Sequence, residues 1–165
     1  MLKLERTSPL HSAILAASIL LWGAACGGGG NGPTDPGGQR LSLVTAAVSV
    51  DGVVYNGGTY HHGQDQGDST RFEARLTSNG GPAPGERVWV DYGRGMMRGR
   101  FGLYDDGTHG DPVPGDGVYC LEDSDGRYGF HHAGAPHGGY HYEFWGEHHG
   151  GSHSNHLNVT IQVAD

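Results

Sequence analysis

Thr70-Arg-Phe-Glu-Ala-Arg-Leu76 alternates without a break: Phe72, Ala74 and Leu76 leave one side of the chain, and Arg71, Glu73 and Arg75 the other. A period of two marks a strand with one buried and one solvated face, because successive side chains of an extended backbone point in opposite directions. The same reading extends outward. Val88, Val90 and Tyr92 alternate with Arg87, Trp89 and Asp91, and Phe101 and Leu103 with Arg100 and Gly102. Tyr140, Tyr142 and Phe144 alternate with His141, Glu143 and Trp145, and Leu157, Val159, Ile161 and Val163 with Asn158, Thr160 and Gln162. No window of helical length carries a 3.6-residue period, and Gly, Pro, Asn and Asp clusters separate the runs. About seven strands are expected, near 41–50, 70–77, 87–92, 98–104, 117–121, 140–145 and 157–164. Short strands at this spacing predict an all-β fold, an immunoglobulin-like antiparallel β-sandwich whose two inner faces share the alternating apolar residues. In this register Trp89 and Trp145 stand exposed on the outward side, as candidate partner contacts, because aromatic residues are enriched at interfaces.

A chain of 165 residues is enough for one such domain. With 35% hydrophobic residues and 32 glycines its core must be thin, which suits two β layers better than a helical bundle. The N-terminal stretch is of another kind. Lys3 and Arg6 precede the apolar run Ala13-Ile-Leu-Ala-Ala-Ser-Ile-Leu-Leu-Trp22, and Gly23-Ala-Ala-Cys26 follows. Charged, apolar, then small is the order of a secretory signal, and the apolar run is about half the length a membrane-spanning helix needs. Residues 27–38, Gly-Gly-Gly-Gly-Asn-Gly-Pro-Thr-Asp-Pro-Gly-Gly, have the composition of a flexible coil. The expected organisation is therefore a signal peptide over 1–25, a Gly-rich tether over 26–40 and the β domain over 41–165.

Gly23-Ala-Ala-Cys26 resembles the bacterial lipobox, with Gly23 where Leu is usual; the resemblance implies that Cys26 becomes a lipidated N-terminus. The expectation is an exported lipoprotein on the periplasmic or cell-surface side of a membrane, held there by its lipid. Removing Lys3, Glu5 and Arg6 leaves eight Arg, no Lys and 17 acidic residues, a formal charge of −9. A surface this acidic repels a phosphate backbone and excludes nucleic-acid binding, while it favours divalent cations and basic partners. With Cys26 lipidated, Cys120 has no disulfide partner, and the expectation for it is a small apolar residue packed in a strand.

Leu103-Tyr-Asp-Asp-Gly-Thr-His-Gly-Asp-Pro-Val-Pro-Gly-Asp-Gly-Val-Tyr119 resembles the DDGxxGDxxxGDGxY segment of bacterial extracellular immunoglobulin-like domains of the choice-of-anchor type. Gly138–Phe144 and Leu157–Val163 are similar to the last two strands of that family. The resemblance implies a β-sandwich, extracytoplasmic placement and an adhesive or accessory role, with no enzymatic activity. Gly139-Tyr-His-Tyr-Glu-Phe144 superficially resembles a strand of copper/zinc superoxide dismutase, but the His-x-His pair of that family is missing, Tyr140 and Tyr142 flanking a lone His141, and the chain has neither GxSxG nor HExxH. A protein partner in the envelope is the leading expectation.

Two residue groups carry the chemistry of an alternative, metal binding. Asp105, Asp106, Asp111 and Asp116 are interleaved with glycines, and carboxylates with inward-curled carbonyls suit calcium. The same Asp and Gly residues also suit turns, through side-chain bonds to nearby amides and positive φ. The histidines are clustered as His61-His62, His131-His132 with His137, and His148-His149 with His153 and His156. Imidazole suits Zn, Cu and Ni, and a solvated polar surface is the competing reading. If successive strands run antiparallel, His109, His148, His149, His153 and His156 share one end of the sandwich with the acidic loop. His61, His62, His131, His132 and His137 then share the other end, about 20 Å away along strand 140–145 at 3.3 Å per residue.

Overall fold

The computed structural model of the chain describes residues 40–62, 65 and 67–165. The expected signal peptide, Cys26 and nearly all of the tether lie outside the described residues. Every regular element described is a strand: β1 Leu41–Val50, β2 Val53–Val54, β3 Thr59–His61, β4 Thr70–Ser78, β5 Gly81–Pro82, β6 Arg87–Arg94, β7 Met97–Leu103, β8 Val118–Asp123, β9 Gly138–Glu147 and β10 Leu157–Ala164. Seven of these fall where the alternation placed them.

The strands form two facing sheets. One has the order β2-β1-β4-β5, with β8 on the same edge of β4 as β5; the other runs β3-β10-β9-β6-β7. All pairings are antiparallel except β3 with β10. The inner faces meet at Phe72 of β4, whose ring packs edge-on against Phe101 of β7 at 4.8 Å and Tyr142 of β9 at 5.0 Å. Leu76, Val88, Val90, Phe144 and Ile161, all assigned inward by the alternation, are fully buried around it. Burying each such side chain stabilises the sandwich by roughly 1.5–3 kcal/mol.

β1 departs from simple alternation. Its pairing with β4 slips between Leu43 and Thr45, so that Val44 has no partner and stands 53% exposed. This bulge moves the buried face from Leu41 and Leu43 to Val48 and Val50. Asn155, from the β9–β10 loop, bonds the strand there: its Oδ1 accepts the Leu43 N–H (2.8 Å) and its Nδ2 donates to the Leu43 carbonyl (3.0 Å). One polar side chain thus ties an edge of the first sheet to a loop of the second.

The two shortest strands follow from turn chemistry. Asp51-Gly52 joins β1 to β2 and Asn79-Gly80 joins β4 to β5, each with both residues at positive φ (46° and 84°; 52° and 86°). That is the two-residue hairpin turn which Asn-Gly and Asp-Gly favour.

Candidate functional site

The acidic loop between β7 and β8 does not project from the end of the sandwich. It runs back along the free edge of β8 and reaches over the outer face of β8 and β4 at Gly110. Tyr104 bridges to Cys120, and the Glu122 N–H donates to the His109 carbonyl (2.8 Å). Arg71 of β4 is the strut beneath: its guanidinium donates to the Gly110 carbonyl, to Glu73 (3.0 Å) and to Cys120 Sγ (2.9 Å). Cys120 therefore lies on the outer side of its strand and is buried by the loop, not in the inter-sheet core. Burial pushes its thiol pKa up to about 12, with Arg71 opposing the shift.

Within the loop, Asp105, Asp111 and Asp116 each bring one carboxylate oxygen within 4.8 Å of the others. Asp105 accepts the N–H groups of Gly115 (2.8 Å), Asp116 (3.2 Å) and Gly117 (3.1 Å). Asp111, which is buried, accepts those of Gly107 (2.8 Å) and Val113 (3.1 Å), and Asp116 accepts that of Val118 (2.8 Å). The turn reading of these residues thus holds, and it brings three carboxylates together. Burial raises the Asp105 pKa against the lowering effect of its three amide bonds. The spacing suits a calcium ion, because ligand oxygens about 2.4 Å from one ion lie up to about 4.8 Å apart. Asp106 stays outside the group: its Oδ1 accepts both the Thr108 N–H (2.9 Å) and the Thr108 hydroxyl, which lowers its pKa.

The fold-back corrects the expected position of His109. At the level of Glu122 it sits five strand residues from Gly117, about 17 Å away at 3.3 Å per residue, stacked on Tyr104 with ring centroids 3.9 Å apart. The other four histidines of that group occupy the β9–β10 loop in two pairs. His148 Nδ1 bonds Glu86 Oε1 (2.7 Å) and His149 Nε2 bonds the Gly85 carbonyl (3.2 Å). His153 and His156 stack on Trp145 at 4.7 and 5.9 Å, and His156 Nδ1 also bonds Glu143 (3.0 Å).

The second group is likewise dispersed. His131 is buried and bonded to the Thr70 hydroxyl (2.9 Å), which makes it a core residue. Its ring meets that of His132 edge-on at 6.0 Å. His62 and His137 approach at 5.2 Å, His61 Nδ1 bonds the Asp165 carbonyl (2.9 Å), and His137 Nε2 lies 3.1 Å from the Asp165 carboxylate. Among the described residues, the convergent group of three or more His, Cys, Asp or Glu ligand atoms is the Asp105–Asp111–Asp116 group, and no histidine joins it.

Trp89 and Trp145 do stand on the outward side of β6 and β9, but Trp145 is not exposed. It is 5% accessible, covered by His153 and His156 and by the Arg100 guanidinium 4.8 Å from its ring centroid. Arg100 is held by Asp91 through two bonds (2.6 and 3.1 Å), which lower the Asp91 pKa. Trp89 is half-buried and borders a cleft of about 340 Å³ between the residues before β6 and the end of β7. Trp89, Tyr104 (41% exposed), Glu86, Asp105 and Asp106 line it. The alternation could assign Trp89 to the outer face; the cleft itself depends on which loop follows β7 and how it folds.

Compared with known proteins, the chain matches no family model and has no significant match among curated proteins. The residues above therefore define a class by architecture alone: an all-β protein of two stacked sheets with an aromatic and acidic cleft where the start of β6 and the end of β7 part.

Proposed function

We propose that the chain is an exported lipoprotein, anchored through Cys26, whose immunoglobulin-like domain serves as a non-catalytic binding module for a protein partner in the envelope. The observation that carries this reading is the cleft beside Trp89. It joins two aromatic side chains to carboxylates where β6 and β7 part, and aromatic anchors in pockets carry a large share of binding energy at protein interfaces. The sequence of the loop that forms one wall supports the choice-of-anchor resemblance, and the acidic balance favours a basic partner.

The test is co-purification from native membranes of the full chain and of a cleft-filling variant, Gly102→Gln. A Cβ at Gly102 would sit 3.6 Å from the Trp89 ring, an ordinary contact, so the variant keeps the fold while its side chain occupies the cleft. Loss of a specific partner in the variant supports the module; equal recovery of every protein from both refutes it. Metabolic labelling with palmitate, lost in Cys26→Ser, tests the anchor.

A second reading, calcium binding, is favoured by one specific observation, the convergence of Asp105, Asp111 and Asp116. The ion would add charge neutralisation to a loop that already orders itself through backbone amides. Calorimetric titration with calcium tests it: uptake of one ion, lost in Asp111→Asn, is the supporting result, and no stoichiometric uptake refutes it.

A further inference from the structure

We infer that the cleft beside Trp89 is a receptor for a guanidinium group, the side chain of an arginine presented by the protein partner; this rests on the binding-module reading and names what that module grips. Glu86 carries the argument. Its side chain is only 11% exposed, His148 Nδ1 takes its Oε1 at 2.7 Å, and its Oε2 is buried with no hydrogen-bond partner among the described residues. A buried carboxylate oxygen without a donor is costly, and a cation bearing several N–H groups in the cleft that Glu86 borders removes that cost once the side chain turns Oε2 out from under cover.

The other walls fit the same guest. Asp106 uses Oδ1 for Thr108 and leaves Oδ2 without a bond among the described residues. Asp105 adds a second negative charge beside it. The lining carries Glu86, Asp105 and Asp106 against the single basic side chain Arg87, which is exposed, so it is negative by two charges. Trp89 and Tyr104 supply aromatic faces, over which a flat, weakly hydrated guanidinium stacks more readily than a compact ammonium. Gly102, paired opposite Trp89 on β7, leaves the space above the indole open.

The experiment uses the full chain in mild detergent, labelled with nitrogen-15, and follows the Trp89 indole N–H by nuclear magnetic resonance. The probes are N-acetyl-arginine amide and its neutral isostere N-acetyl-citrulline amide. The expected result is a saturable shift with arginine, at least tenfold weaker with citrulline, and a tenfold loss of arginine affinity in Glu86→Gln, about 1.4 kcal/mol. Asp106→Asn, at an exposed site, should weaken arginine about threefold and serves if Glu86→Gln fails to fold. Equal binding of the two probes, no shift with arginine, or unchanged affinity in a folded variant overturns the inference. If Glu86→Gln still recovers the envelope partner, the guanidinium site falls and the module stands. If arginine binds but no partner is ever recovered, the protein-partner reading falls instead.

Discussion

Trp89 of β6 and Trp145 of β9 lie opposite each other with ring centroids 6.5 Å apart, and each indole N–H crosses to the other strand. Trp89 donates to Glu147 (2.8 Å) and Trp145 to Asp91 (2.9 Å), so two tryptophans and two carboxylates form a closed diagonal brace on the outer face of the second sheet. Cross-strand aromatic pairs of this kind stabilise a sheet by tenths of a kcal/mol to about 1 kcal/mol relative to an Ala–Ala pair. Here the brace also fixes the indole that borders the cleft.

Trp145→Ala is accordingly expected to destabilise the domain by about 3 kcal/mol, in the range for loss of a buried aromatic side chain. Trp145→Phe keeps most of the packing but removes the bond to Asp91, and about 1 kcal/mol is expected for that. Urea unfolding at constant m-value measures both. Equal stability of Trp145→Ala and the parent would show that the stacked histidines and Arg100 contribute no packing.

Calcium should raise the unfolding temperature, and the effect should depend on pH in a defined direction. Burial raises the folded-state pKa of Asp105 above its ordinary value of 3.8. Its contribution to the stability of the metal-free chain is therefore fully present below that ordinary value and is lost as pH rises through the higher folded value. A cation at Asp105, Asp111 and Asp116 acts oppositely, because it binds the ionised carboxylates. Calcium stabilisation should then grow from pH 4 to pH 7, reaching about 2.7 kcal/mol at a hundredfold excess over Kd. Scanning calorimetry with calcium or with chelator at the two pH values checks this, and Asp111→Asn should abolish the difference while Asp106→Asn preserves it.

The strand layout was legible because β4, β6, β7, β9 and β10 each have one face on Phe72 or its neighbours and one face on solvent, so burial prints directly onto the sequence as alternation. What alternation missed has physical causes. The bulge at Val44 changes face without changing composition, and Asn155 and Asn56 supply backbone-like bonds from loops, Asn56 to Val48 and Ala46. The hairpins at Asp51-Gly52 and Asn79-Gly80 carried a readable signal in their turn dipeptides. The site was less legible. Outward residues are expected to be wet, yet Trp145 is covered by His153, His156 and Arg100, and Cys120 by the loop that Arg71 holds down. Both depend on a loop returning over a sheet face, which no local pattern encodes.

His131 was a candidate metal ligand from its neighbours in sequence, but its place is the core beside Thr70. Thr70→Val keeps the shape of the buried side chain and removes the hydroxyl, leaving the His131 Nδ1 without its partner. A loss of about 1–3 kcal/mol is expected in denaturant unfolding. His137→Ala, at an exposed ring, should change stability by less than about 0.5 kcal/mol. A neutral Thr70→Val would mean that the buried pair is not formed in solution.

Cys120 reports on the acidic loop. With its pKa pushed up to about 12 and its side chain covered, it should resist alkylation at pH 8 in the folded protein and react fully in urea, as read by mass spectrometry of the Cys120 peptide. Arg71 makes the test specific to the loop. Its bonds to the Gly110 carbonyl, Glu73 and Cys120 join loop, β4 and β8 at one point. Arg71→Ala removes the strut and its charge while leaving the inter-sheet core intact, since Arg71 is on the outer face. The variant should stay folded by circular dichroism yet alkylate at Cys120 at least tenfold faster, because local opening of the loop now limits the rate in place of global unfolding. If calcium occupies Asp105, Asp111 and Asp116, adding it to Arg71→Ala should restore much of the protection, since those ligands fasten the loop on itself above the thiol. An unchanged labelling rate in Arg71→Ala would show that the loop is held by its own turns, and that the guanidinium is incidental to its position.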